Sequence, residues 1–377
     1  MKTIHLKRCG WGLALAVWLT AFSGNGSGAA ELPTREDGRL IPMFHSDRVW
    51  NAVATTTDGR VFVGFPSADG PGVQLAELDS TGNAKPYPDG EWNRPNPRHD
   101  PDGLFVHVNA LRIGPDGRLW VVDAGAAGIG KAAVPGGARI FRIDLARNAI
   151  DRVYPLGAAL KEKSYIDDIR FNGDRAYLTD AGEAGLVVLD RRTGTVRRVL
   201  DGDPSATDLR PMRADGKVLR TETGKELRAQ ADQIEVSPDG RWLYYQPCSG
   251  PLARIGTRWL DDAEASPAEV SSHVEAWLDT PTSGGTAIDE VGNLYLSDPN
   301  RRRILKITPE KRVTVLIADP RLIWSDAMWI DRKGFLWIPA TQQNLTPGFN
   351  DGKQAVDYPV WIYKMEIGKG PARNDHA

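Results

Sequence analysis

Asn109-Ala-Leu-Arg-Ile-Gly-Pro-Asp116-Gly117-Arg-Leu-Trp120 joins two short hydrophobic runs through an Asp-Gly turn, which is the chemistry of a β-hairpin. The same pattern starts at Asn51 (Asn51-Ala-Val-Ala-Thr-Thr-Thr-Asp58-Gly59), at Asp167 (Asp167-Asp-Ile-Arg-Phe-Asn-Gly173) and at Asp232 (Asp232-Gln-Ile-Glu-Val-Ser-Pro-Asp239-Gly240). It returns at Gly284 (Gly284-Gly-Thr-Ala-Ile-Asp-Glu-Val-Gly292) and at Asp326 (Asp326-Ala-Met-Trp-Ile-Asp-Arg-Lys-Gly334). The six leads stand 42 to 65 residues apart. A period near fifty with a hairpin in every unit predicts a β-propeller.

Each copy continues into a third strand and, in most copies, a fourth: Arg139–Asp144, Leu186–Asp190 and Arg303–Thr308 show the alternation of apolar and polar residues expected of antiparallel strands. Six such units make an all-β, six-bladed propeller of four-stranded antiparallel blades. The sixth copy ends at Val360–Ile367 without a run for a fourth strand, and Arg39–Phe44 stands before the first copy. This N-terminal strand is expected to complete the last blade, where Pro42 is tolerated because an outermost strand can spare a donor.

Three insertions interrupt the pattern. Ala124–Gly137 is a Gly/Ala-rich loop, and Asp201–Gln230 is a polar excursion with a small hairpin around Gly216. In the third, Trp259–Leu278, Ser266-Pro267-Ala-Glu269 reads as a capping box opening a helix that runs to about Trp277.

Lys2, Lys7 and Arg8 precede an apolar stretch, Trp11–Phe22, and the small residues Gly28-Ala29-Ala30 follow. Residues 1–30 therefore read as a signal peptide and 31–377 as one propeller domain, secreted or periplasmic, with no membrane attachment after cleavage. Removing the first 30 residues takes the formal net charge from −2 to −5 and leaves Cys248 as the sole cysteine, so no internal disulfide is available. The one basic run, Arg301-Arg302-Arg303, reads as a solvated turn, and nothing calls for nucleic acid. A monomer with a small-molecule partner is expected.

In a propeller the innermost strands line the central channel, so the leaders Asn51, Asn109, Asp167, Asp232 and Asp326 should converge at one mouth. Two residues earlier, on the same strand face, Val49, His107, Tyr165, Gln230, Thr282 and Trp324 would form a looser ring. Asn and Asp at strand starts also cap turns and satisfy loop amides. Converging carboxylates would repel, raise one another's pKa, or recruit a cation, and an oxygen-only set suits Ca²⁺ or Mg²⁺ better than zinc. Asp123, Asp180 and Asp298, at the ends of second strands, read as turn caps on the same face. His107 is the one histidine in the inner series and a candidate general base, whereas Cys248 reads as an inert buried thiol.

Arg60–Pro66, Pro86–Asn93, Arg118–Gly125, Tyr165–Ile169 with Ala176–Asp180, Ser237–Tyr245 and Gly334–Trp337 resemble, in order and spacing, the major royal jelly/yellow protein family. The resemblance covers nearly all of residues 31–377 and implies a secreted six-bladed propeller, with small molecules such as biogenic amines bound at the channel mouth in some members and dopachrome conversion attributed to others. The shape is also similar to the SMP-30/gluconolactonase group, which holds a divalent cation with a Glu, two Asn and an Asp. Carried over by position, that similarity implies Asn109, Asp167 and Asp326 as metal ligands, with Asp326 as base. It departs at Asn51, which stands where that group has Glu.

Three functions follow as expectations. The first is binding of a polar or aromatic ligand by His107, Tyr165, Trp324, Asn51 and Asp232. The second is Ca²⁺-dependent or other divalent-cation-dependent lactone hydrolysis through Asp326. The third is dopachrome isomerisation involving His107.

Overall fold

A computed structural model describes residues 31–376. The signal-peptide reading of residues 1–30 lies outside the described residues. Six four-stranded antiparallel sheets stand around one axis. Their innermost strands are Ala52–Thr55, Val108–Ile113, Ile166–Asn172, Ala231–Val236, Thr286–Ile288 and Trp329–Ile330. Each begins within three residues of one of the repeat leaders.

Closure occurs as the sequence predicts. Ile41–Ser46 pairs antiparallel with Val360–Glu366 and becomes the outer strand of the sixth blade. A register shift between Pro42 and Phe44 accommodates the proline. The second strands are buried along their length, as in Leu119–Asp123 and Leu294–Asp298, because both faces are covered by neighbouring blades. Fully buried Trp50, Phe62, Trp120, Phe141 and Phe171 fill the spaces between sheets, and each such side chain contributes about 2 kcal/mol or more of burial.

One element differs from expectation. Ser266 does cap a helix, its Oγ accepting from the Glu269 amide at 3.2 Å, but the helix is only Pro267–Ser272. Val274–Leu278 is instead the outer strand of the fourth blade, paired with Leu252–Gly256. A vacant sheet edge overrides helix propensity there. The excursion at 201–230 contains the expected hairpin, Arg213–Ala214 with Lys217–Val218.

Candidate functional site

All five polar leaders border one cavity of about 420 Å³, together with His107, Tyr165 and Trp324. The convergence comes from local irregularity as well as repetition. The innermost strands slip register between Val108 and Ala110, between Ile166 and Ile169, and between Ala231 and Gln233. Asn109, Asp167–Asp168 and Asp232 occupy these bulges. A bulge turns consecutive side chains toward the same side, so Asp168 and Gln233 also reach the cavity. The signal was visible as polar doublets, Asp167-Asp168 and Asp232-Gln233, where a regular strand would alternate.

The outer ring is half realised. Val49 is fully buried in the core, Gln230 accepts from the Asp208 amide, and Thr282 accepts from the Arg213 amide. All six positions precede the innermost strands, where the two-residue spacing on which that ring was predicted does not hold. Further wall comes from Ile129 and Met212 in two of the insertions and from Phe349 in the loop before Val360–Glu366, which periodicity does not locate.

The leaders clasp one another across blades. Nδ2 of Asn51 donates to the Asn109 carbonyl at 2.7 Å, and Nδ2 of Asn109 donates to Asp167 Oδ1 at 2.8 Å and to its carbonyl at 3.1 Å. The Tyr165 hydroxyl donates to Asn109 Oδ1 at 2.8 Å, which fixes the orientation of that amide. Asn51 is therefore suited to its place as a donor, a role no carboxylate could fill. Gln233 Nε2 donates to Asp232 Oδ1 at 2.6 Å and to the Ser283 carbonyl at 2.9 Å.

Asp167, Asp232 and Asp326 are partly buried and line the cavity. Burial raises all three carboxyls above their ordinary range. Like charge adds to the effect, chiefly from Asp168 on Asp167 and from Asp167 on Asp232 and Asp326. Burial and these carboxylates also keep the Tyr165 phenol and the Cys248 thiol protonated. His107 is pushed down to about 4 by burial and by the charge of His99, so at neutral pH its ring is uncharged. It meets the Tyr165 ring edge-on at 5.5 Å.

The second-strand aspartates hold this ring in place. Asp123 accepts from the amides of Val106 and His107 at 2.9 and 2.8 Å, and from Arg139 at 2.9 Å. Asp180 repeats the device, accepting from the Tyr165 amide at 2.9 Å and from Arg198 at 2.8 Å. These residues cap backbone, as expected, and the backbone they cap carries two side chains of the cavity.

Gly284 interrupts the run of polar leaders for a steric reason. A Cβ on Gly284 would lie 2.6 Å from the Ser325 carbonyl and 2.8 Å from the Trp324 indole nitrogen, and one on Gly285 would lie 2.4 Å from the Asp326 backbone. The fifth blade thus gives up a side chain so that Trp324 and Asp326 can lie against it. Trp324 itself adopts φ 50°, a left-handed conformation that is strained for a bulky residue. Its carbonyl is held by both the amide and the hydroxyl of Thr341, at 3.1 and 3.0 Å.

Asn109, Asp167 and Asp326, the oxygen donors implied for a divalent cation, all border the cavity. A divalent ion at Asn109 Oδ1 would have to compete with the Tyr165 hydroxyl already bonded there. Among the described residues no group of three His, Cys, Asp or Glu side chains is close enough to hold a metal ion.

Solved structures share this architecture at low identity. A luciferin-regenerating enzyme superposes with a TM-score of 0.57 at 11% identity, over 90% of this chain and 98% of that one. Regucalcin of Agrobacterium tumefaciens, a calcium-binding protein, gives 0.50 at 14%, over 89% and 96%. A streptogramin B lyase gives 0.50 at 14%, over 87% and 86%. These likenesses concern the fold. No curated protein matches the sequence significantly. Residues 106–366, from the turn before the second blade to the last strand of the sixth, match the major royal jelly protein family, and the chain belongs to that family.

Proposed function

We propose that the cavity binds a small aromatic amine, with the ammonium group among Asp167, Asp232 and Asp326 and the ring against Trp324, Tyr165 and His107. The observation that carries this reading is the convergence of three mutually repelling carboxyls and three aromatic side chains on one cavity. A bound cation relieves that repulsion and receives charge-assisted hydrogen bonds, while aromatic faces contribute ring contacts and cation–π attraction. Titration calorimetry with 2-phenylethylamine, against 3-phenylpropionate and benzyl alcohol as controls, tests it. Micromolar binding of the amine alone, weakened at least tenfold by Trp324→Ala, is expected. Equal binding of all three compounds refutes the charge argument.

Two enzymatic readings rest on the same residues. Divalent-cation-dependent lactone hydrolysis draws on the convergence of Asn109, Asp167 and Asp326, and requires retained stoichiometric calcium or magnesium that Asp326→Asn loses together with hydrolysis. Dopachrome isomerisation draws on the uncharged His107, and requires conversion faster than buffer alone that a His107 substitution abolishes. Export is proposed from residues 1–30 and a monomeric state from the closed ring. N-terminal sequencing of material recovered outside the cytoplasm, and light scattering, check them.

A further inference from the structure

The channel's other end is closed by the chain itself. Glu290 donates its amide to the Gly370 carbonyl at 2.9 Å, Ala372 is fully buried, and Asn374 Nδ2 donates to the Ser237 carbonyl at 3.1 Å. This path crosses the hairpins of the fifth and fourth blades and brings Asp375 and His376, both buried, into the channel. Asp375 Oδ2 accepts from Arg112 Nη2 at 2.7 Å and lies 2.8 Å from His376 Nδ1, while its other oxygen stands 4.0 Å from Arg170. The His376 ring stacks on Trp329 at 3.8 Å, and the Arg112 guanidinium lies 5.2 Å from the same indole.

Arg170 has other partners: Asp168 at 2.6 Å and Glu235 at 2.8 Å. For Arg112, which is only 3% exposed, Asp375 is the sole paired carboxylate among the described residues. A buried guanidinium requires a counterion, yet this one is incompletely served. Arg112 Nε and Asp375 Oδ1 are both buried without a hydrogen-bond partner. A guanidinium presents Nε and Nη2 as a fork matched to the two oxygens of a carboxylate. The tethered Asp375 engages one prong of that fork.

We propose that Arg112, Arg170 and Trp329 form a carboxylate-binding site at the end of the channel opposite the leaders, that Asp375 fills it as an internal ligand, and that it accepts an external small carboxylate once that side chain is removed. A free carboxylate can rotate to meet both prongs of Arg112, which Asp375 does not. The site touches the proposed amine cavity only through the Arg170–Asp168 pair, and its test, which leaves both of those residues in place, does not depend on that reading.

The test is chemical rescue. Asp375→Ala is expected to melt several degrees below the parent protein. Sodium formate, titrated to 100 mM at constant ionic strength against sodium chloride, should restore the midpoint along a saturable curve, with no formate-specific gain in the parent or in Arg112→Met/Asp375→Ala. Equal responses to formate and chloride, or an equal formate response in the double variant, overturn the proposal. If Asp375→Ala does not fold in formate-free buffer, refolding yield in formate against chloride reads the same site. Recovery confined to formate supports the proposal, and no difference between the salts overturns it.

Discussion

Replacing Asp232 with Asn should make the protein more stable and the cavity a poorer receptor for a cation. Asn retains an oxygen for the 2.6 Å bond from Gln233 Nε2 and removes only charge and a proton. Asp232 is raised by burial and then by Asp167, Asp326 and Asp168. Two unit charges about 4 Å apart at an effective dielectric near 20 repel by about 4 kcal/mol, which caps the gain from relieving one such pair. The sign with pH follows from the direction of the shift. A carboxyl raised in the folded state supports stability fully below its unfolded pKa, near 4, and loses that support as pH rises toward its folded value. Each proton held by the folded chain and released by the unfolded one costs about 1.4 kcal/mol of stability per pH unit.

Equilibrium urea unfolding of parent and variant at pH 4, 5, 6 and 7 reads this directly. The two should differ little at pH 4. The variant should then gain on the parent by about 1 kcal/mol per pH unit until the gain levels near 4 kcal/mol. Over the same range its affinity for 2-phenylethylamine should fall by 10- to 100-fold, the usual worth of a hydrogen bond to a charged group. A variant that is destabilised at every pH, or whose advantage is greatest at pH 4, would refute the view that the cavity floor is held together against its own charge.

Three further outcomes are expected. NMR titration should place the protonation of His107 near pH 4. Because that ring is lowered, the uncharged form's contribution is present above pH 6.5 and is lost as pH falls toward 4, so His107→Gln should remove about 3 kcal/mol of acid destabilisation over that window. Gly285→Ala, whose Cβ would meet the Asp326 backbone at 2.4 Å, should cost about 1–3 kcal/mol in urea unfolding and displace Asp326 enough to weaken amine binding. Arg170→Met should cost about 3–5 kcal/mol in the same assay, since it strips the buried Asp168 and Glu235 of their cation.

The ring and its closing strand were legible because every unit carries the same hairpin, and a period is independent of tertiary context. The helix boundary at Ser272 was not, because Val274–Leu278 acquires strand structure only from the vacant edge of Leu252–Gly256. The same distinction divides the site. The leaders could be located by counting from each hairpin, and all five reach the cavity. Val49, Gln230 and Thr282 failed because counting by two assumes a strand, and these positions precede the inner strands that begin at Ala52, Ala231 and Thr286. Ile129 and Met212 come from insertions and Phe349 from the loop before Val360–Glu366, segments that no repeat specifies.

The six units give the channel a shared plan, and the cavity arises where they depart from it. Asn51 and Asn109 donate to the next blade, whereas Asp167 and Asp232 cannot continue that chain of amide donors as carboxylates. The clasp running from the first blade to the third therefore stops where acidic side chains begin. On the other side of the ring, Gly284 and Gly285 leave room for Trp324, held at φ 50°, and for Asp326. One arc of the mouth is thereby tied by amides and the opposite arc is strained and acidic. Such unrelieved strain and charge persist only where surrounding structure compels them, and they concentrate where proteins bind or react. On the proposed reading an incoming cation would meet the arc between Asp167 and Asp326, because the carboxyls stand there.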